Sequence, residues 1–466
     1  MSTFRGRFVY ALFLCLLASG AIGQGVTLPS VERVVLDNGV TIILHEKDDV
    51  PLIGIEASIR GGAVSDPEDR GGMANLLASS LEKGAGARSA AEFAEAIDSV
   101  GGALSARASL EAITVSGEFM ARDASLMIEL LVDMLRSPTL NEEEVEKLRD
   151  RQIDQLRAAK DSNLRALTSI YGNSFLFGDH LYGNPSFGSE ESLARISSSD
   201  LRGYYRDYFG GDRLVIAVAG DFDATAMLAE LTAAFFDWPA ATAPLPVIEA
   251  PPVVTGRRVL LVDKPGAAQS YFWIGNVGVR RDFESRAELN IANTLFGGRF
   301  TSLLMDELRT KAGLTYGASS SLRRQSMGGS VAIISYTKTE STVEAIDLAL
   351  SLLEKMRDEG FGDDMITSGK NYILGQFAPN FETAEQLAAQ FAVLETYNLD
   401  ESYINDYGGA VAAADGEAIR TVIEQVYPSA DDLVIAIIGD AELIRDQIAK
   451  YGDITELSIT EPRFRP

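Results

Sequence analysis

Ten residues of this chain occur twice in nearly the same form. Residues 212–221 read Asp-Arg-Leu-Val-Ile-Ala-Val-Ala-Gly-Asp, and residues 431–440 read Asp-Asp-Leu-Val-Ile-Ala-Ile-Ile-Gly-Asp. Each is a short unbroken apolar run closed by Gly-Asp, the pattern of a strand buried on both faces. A helical segment precedes each run, with Leu201-Arg202 and Ile419-Arg420 at comparable points, and each run leads into another helix. Strand-rich openings match as well, at residues 31–60 and 258–279. One strand can repeat by chance; an ordered series of elements points to a duplication. The chain is therefore expected to fold as two copies of one α+β unit.

Between the copies, residues 238–256 hold Pro239, Pro244, Pro246, Pro251 and Pro252. Proline lacks the amide donor that helix and sheet interiors need, so this stretch reads as an extended linker. The expected division is an N-terminal domain at 28–237, a C-terminal domain at 257–450 and a tail at 451–466. Within the first copy, residues 31–44 read as a strand pair through the turn at Asp37-Asn38-Gly39. Residues 52–60 read as a strand, 89–100 as a helix, 104–119 as strands and 124–135 as a helix. Residues 141–177 read as a long charged helix or a pair of helices, and 193–209 as helical again.

Residues 1–23 have the pattern of a signal peptide. Arg5 and Arg7 form its positive start, residues 8–17 its apolar core, and Ala21 and Gly23 precede a cut near Gln24. The other reading is a membrane anchor, but the run falls short of the roughly 20 residues that span a bilayer. The expectation is a periplasmic or secreted protein with no membrane span after cleavage. The only cysteine, Cys15, lies in this segment, so the mature chain would hold no disulfide, thiol nucleophile or cysteine metal site. Loss of Arg5 and Arg7 takes the basic count from 41 to 39 against 67 acidic residues, a net charge of −28. Such acidity argues against nucleic acid or anionic membrane as a partner. It is compatible with basic peptides.

The stretch most telling for chemistry is residues 71–86, Gly-Gly-Met-Ala-Asn-Leu-Leu-Ala-Ser-Ser-Leu-Glu-Lys-Gly-Ala-Gly. It resembles the helix that carries the inverted zinc motif H-x-x-E-H in the pitrilysin/insulinase family of zinc metallopeptidases, the inverzincins. There the helix typically reads G-x-A-H-x-x-E-H-x-x-x-K-G-T. The frame survives here as Gly72, Ala74, Lys83 and Gly84, while Asn75, Ala78 and Ser79 stand at the reactive positions. A zincin helix holds zinc with two imidazoles four residues apart, and the intervening Glu activates the metal-bound water. An amide, a methyl group and a hydroxyl do neither. The family's third ligand, a downstream Glu, falls on Gln155, and a neighbouring family Glu falls on Leu148.

Three further pieces carry the resemblance across residues 30–450. They are Leu36-Asp-Asn-Gly-Val40, the run from Leu181 to Leu193 (similar to H-P-Y-G-x-P-x-x-G), and the run from Gly297 through Arg309 to Tyr316. The resemblance implies two homologous pitrilysin-like domains, like those of the mitochondrial processing peptidase, forming a clamshell. It implies that Arg309 and Tyr316 reach from the C-terminal domain to the zinc site of a facing domain. There they would bind substrate backbone and stabilise the oxyanion, work that suits a planar cationic fork and a hydroxyl donor. The plain alternative is that Arg309 caps a helix and Tyr316 packs in a strand.

The only histidines, His45 and His180, lie far apart in sequence and read as structural or exposed. No Ser-His-Asp order or G-x-S-x-G elbow stands out. The run Glu142-Glu143-Glu144 opens a helix, where it complements the macrodipole. The resemblance then implies a zinc-less, catalytically inactive subunit of a heterodimeric, bacterial processing-peptidase-like enzyme. Such a chain holds no cofactor. Its partner is a homologous subunit with intact H-x-x-E-H that carries the zinc, and its substrate is a peptide. The alternative is a peptide-binding or scaffold protein of the same fold with no proteolytic partner, in the manner of the core subunits of the respiratory cytochrome bc complex.

Overall fold

Apolar strands buried on one or both faces build the first sheet. The computed structural model describes residues 25–466, so the leader expected at 1–23, with Cys15, lies outside the described residues. The six strands of the first sheet are β1 (Glu32–Val35), β2 (Thr41–Glu46), β3 (Leu52–Arg60), β4 (Ala103–Ala108), β5 (Ala112–Met120) and β6 (Leu214–Gly220). They lie in the order β1-β2-β6-β3-β5-β4. Strand β6 is buried along its whole length, parallel to β2 and antiparallel to β3.

The second sheet repeats this core. Its strands are β7 (Arg257–Asp263), β8 (Gln269–Gly278), β9 (Ala318–Arg324), β10 (Gly329–Lys338), β11 (Leu433–Gly439) and β12 (Ile454–Ser458). The order is β9-β10-β8-β11-β7-β12, and β11 runs parallel to β7 and antiparallel to β8. The two repeated sequence runs thus occupy equivalent central places. The fold is two homologous α+β domains of the pitrilysin-like type. The copies differ at one edge, where β1 joins antiparallel to β2 but β12 joins parallel to β7.

Four helices shape the recesses and the contact between the two halves: α1 (Met73–Leu81), α2 (Glu142–Ser162), α3 (Leu164–Phe177) and α4 (Ala384–Thr396). The segment 141–177 is a pair of helices, broken at Asn163. An apolar run with no alternation needs a cover on each face. For β6, Ile216 and Val218 face the main core of the first domain, while Val215, Ala217 and Ala219 face Leu387, Ala388 and Phe391 of α4. That helix belongs to the other half of the chain. In return α3, from the first half, packs on β8 and β11, where Leu167, Tyr171 and Phe175 share a core with Trp273, Val434 and Ala436. Gly54 of β3 makes the close approach possible, because a Cβ there would lie 2.3 Å from the backbone nitrogen of Glu385. The boundaries 28–237 and 257–450 describe the chain order, but each domain's core borrows a helix across the linker. Residues 239–253 contain no helix or strand.

The expected tail at 451–466 is part of the fold. Strand β12 extends the second sheet, and the chain then returns to the first domain. Phe464 is buried there, edge-on to Tyr171 at 5.1 Å and to Phe187 at 6.1 Å. Beside it, the buried Lys160 ammonium pairs with Glu190 at 2.7 Å and donates to the Glu461 carbonyl. Truncating Phe464 to Ala should lower unfolding stability by about 3–5 kcal/mol, the usual cost of emptying a buried aromatic site. Urea denaturation checks this, and an unchanged midpoint would mean that the tail merely drapes over the surface. A second tie crosses the halves: the Tyr182 hydroxyl donates to Glu111 at 2.7 Å and accepts from the Met327 amide at 3.1 Å. Among the described residues, no helix is long and apolar enough to cross a membrane.

Candidate functional site

Helix α1 is held rigidly at its start. Asp66 is buried, and its two carboxylate oxygens accept from the amides of Gly72 at 2.7 Å and Ala74 at 2.9 Å. Burial pushes the Asp66 carboxyl up to about 8, against the opposing pull of these backbone donors. Gly72 sits at φ +98°, and a Cβ on it would meet the Phe187 carbonyl at 2.9 Å. Ser192 reaches the Gly71 carbonyl at 2.8 Å. The segment 181–193 therefore grips the N-terminus of α1, and the frame residues Gly72 and Ala74 are demanded by this packing, with or without chemistry on the helix.

Between α1 and α2 lies a recess of about 530 Å³, with Ala166, Leu167 and Ile170 of α3 as a further wall. Asn75, Ser79, Leu148 and Gln155, taken from distant parts of the sequence, all line it. Ala78 does not; it is buried beneath the helix. Nothing in this lining suits zinc. It offers two amides and a hydroxyl where imidazoles and a carboxylate would be needed. Two cations, Lys83 and Arg151, also line the recess. Its one carboxylate, Glu82, accepts from the Ala106 amide of edge strand β4 at 2.8 Å. Among the described residues, no three His, Cys, Asp or Glu side chains are grouped to hold a metal ion.

Restoring part of the motif should not restore function. Asn75→His with Ser79→His supplies two ligands but no third ligand and no base, so weak zinc binding and no peptide turnover are expected. Adding Ala78→Glu and Gln155→Glu is the minimum set, and the first of these must reach the recess from a buried position. Zinc titration against a chelator, with a peptidase assay, reads both. Robust turnover by the double variant would show that a base lies elsewhere.

Arg309 and Tyr316 line a separate recess of about 420 Å³, together with residues 297–300 and Tyr336. Arg309 projects from a π-helical turn, Met305–Lys311, a geometry frequent at functional sites. Its guanidinium lies 4.7 Å from the centre of the Phe300 ring and forms no ion pair among the described residues. Tyr316 precedes β9 and is 80% exposed, so it does not pack in a strand. Helix α3 divides the two recesses, giving Arg165 and Thr168 to this one. Within one chain, Arg309 and Tyr316 do not share the cavity of Asn75 and Ser79.

Neither histidine lines either recess. His180 Nδ1 accepts from the Tyr182 amide at 3.1 Å, while Nε2 bonds the Glu249 carbonyl at 2.9 Å, so both nitrogens are committed to structure. His45 Nδ1 lies 3.1 Å from the Ser30 carbonyl. Arg151 is a recess residue that the motif comparison does not single out. Its signal in the sequence is its place four positions before Gln155 on one helix, the spacing of a shared face.

Two family models match the chain: "Insulinase (Peptidase family M16)" over residues 42–182, and "Peptidase M16 inactive domain" over residues 195–372. An uncharacterized zinc protease of Streptomyces coelicolor is 24% identical over 404 residues, covering 85% of this chain and 87% of its own. A protein of Helicobacter pylori named a non-peptidase homolog is 23% identical over 341 residues, covering 72% of this chain and 77% of its own. Among solved structures, a peptidase M16 inactive domain from Pseudomonas fluorescens superposes with a TM-score of 0.81 at 21% identity, covering 88% of this chain and 98% of that one. A protease from Helicobacter pylori gives 0.80 at 18% identity, covering 88% and 100%.

Proposed function

The chain belongs to the insulinase (M16) peptidase family, and from that premise we propose that it serves as the non-catalytic subunit of a two-chain zinc peptidase. The observation that carries this reading is a mismatch within one molecule. The residues that would hold zinc and activate water are replaced by Asn75, Ala78, Ser79 and Gln155. Yet Arg309 and Tyr316 stand on a recess wall with their donors uncommitted to the fold. Exposed donors of this kind are free to meet a peptide oxygen.

In this reading a homologous partner with intact H-x-x-E-H carries the zinc, and the peptide lies between the two chains. Arg309 holds a peptide carbonyl with its planar fork. The Tyr316 hydroxyl donates to the carbonyl oxygen as charge develops on it. This chain closes the chamber and orients the substrate, in the periplasm or outside the cell. The test is to co-purify the chain from its own cells, then mix it with a zinc-bearing homologue and measure size and peptide turnover. The chain alone should be inert and the pair active. If no pair forms and no homologue shows turnover with it, the scaffold reading takes its place.

A further inference from the structure

The recess between α1 and α2 has lost the residues for a metal, but its remaining side chains form a pattern of their own. Asn75, Ser79 and Lys83 follow one another at intervals of four, so they lie along one stripe of α1 and its C-terminal extension. Facing them, Leu148, Arg151, Gln152 and Gln155 form the matching stripe of α2. Neither cation has an ion pair among the described residues. The carboxylates beside Arg151 are already engaged: Asp150 pairs with Arg149 at 3.0 Å, and Asp154 with Arg157 at 3.5 Å. The side chains of Asn75, Ser79 and Gln155 make no hydrogen bond among the described residues. The one carboxylate of the recess, Glu82, is spent on the Ala106 amide at 2.8 Å.

We infer that this recess binds a carboxylate group of a peptide, held by Lys83 and Arg151 across the gap between α1 and α2. Asn75, Ser79 and Gln155 supply neutral donors around it. The inference rests on the reading of the chain as a peptide-binding family member and names the part of the peptide that this chain itself selects. A carboxylate answers the lining better than a neutral amide, because it alone satisfies two uncommitted cations with charge-assisted bonds. The group can come from a peptide C-terminus or from a Glu or Asp side chain. The chemistry is shared, so the experiment separates the sources.

The probes are three fluorescein-labelled pentapeptides: Ala-Ala-Tyr-Ala-Ala as the free acid, the same peptide as the C-terminal carboxamide, and Ala-Ala-Glu-Ala-Ala as the carboxamide. Fluorescence anisotropy follows their binding to the purified chain at low ionic strength. At least one carboxylate probe, the free acid or the Glu peptide, should bind about tenfold or more tighter than the Tyr-containing carboxamide. That advantage should vanish in Lys83→Met with Arg151→Gln and should shrink in 0.5 M salt. Both side chains border solvent, and an unchanged thermal midpoint confirms that the variant is folded. Preferential binding of the Glu peptide would assign the site to side chains, and preferential binding of the free acid to C-termini. Equal affinity for all three probes overturns the inference and leaves peptide binding standing. If no probe binds while the two-chain enzyme still turns peptide over, the inference alone falls. If neither binding nor turnover occurs, both readings fall.

Discussion

In a complex of this chain with the proposed zinc-bearing partner, Tyr316→Phe should lower kcat by about 10²–10³-fold, the usual effect of losing one donor to a developing oxyanion. The size follows from differential binding. A donor aimed at the oxyanion acts mainly in the transition state, so kcat falls and the affinity for substrate changes little. The substitution removes a single oxygen from a side chain that is 80% exposed, so folding and assembly should survive it. Arg309→Ala is the companion variant. It removes a cation and its contact with Phe300, so its assembly must be verified by size before its kinetics are read. Steady-state turnover in a heterodimer of confirmed size is the measurement. Unchanged turnover with both variants would leave this chain as a lid.

The second large effect concerns the borrowed helices. Leu387→Ala with Phe391→Ala empties the contact between α4 and the first sheet. Single truncations of this kind cost about 2–5 kcal/mol each. Their sum approaches the whole stability of an ordinary domain, about 5–15 kcal/mol, although neighbouring sites add imperfectly. Because α4 belongs in sequence to the second half, the damage should appear in the first. Amide exchange should accelerate in β3 and β6 although no residue of either strand has been altered. Loss of protection confined to residues 384–396 would show that the exchanged helix is dispensable.

The strands are legible in the sequence because their physics is local. Strand β3 has its observed limits, 52–60, written in its apolar content and in the Gly61-Gly62 that ends it. The equivalence of β6 and β11 is legible from the repeated runs. What lies above them is not. The unbroken apolar pattern of β6 announces two covered faces, yet nothing near it in sequence says that α4 covers one of them. The segment at 451–466 reads as a tail for a related reason. After β12 the buried apolar side chains are Ile459 and Phe464, too few apolar positions to show a period. At the site, family spacing groups Asn75, Ser79 and Gln155, and the structure places all three on one recess. Spacing does not reveal that Arg309 and Tyr316 face a different cavity, since that depends on where α3 runs.

The exchange of helices also sets a timetable for synthesis. Strand β6 ends at Gly220 and α4 begins at Ala384, 164 residues later (384 less 220). At typical elongation rates of roughly 5–20 residues per second, that interval lasts on the order of ten to thirty seconds. For all that time the face of Val215, Ala217 and Ala219 is complete but bare, an apolar sheet surface of the kind that recruits other chains. A ribosome that stalls within the proline-rich linker therefore releases a half with an open sheet face, a substrate for chaperones and proteases. The duplication is legible as two domains, but the cell must make it as one.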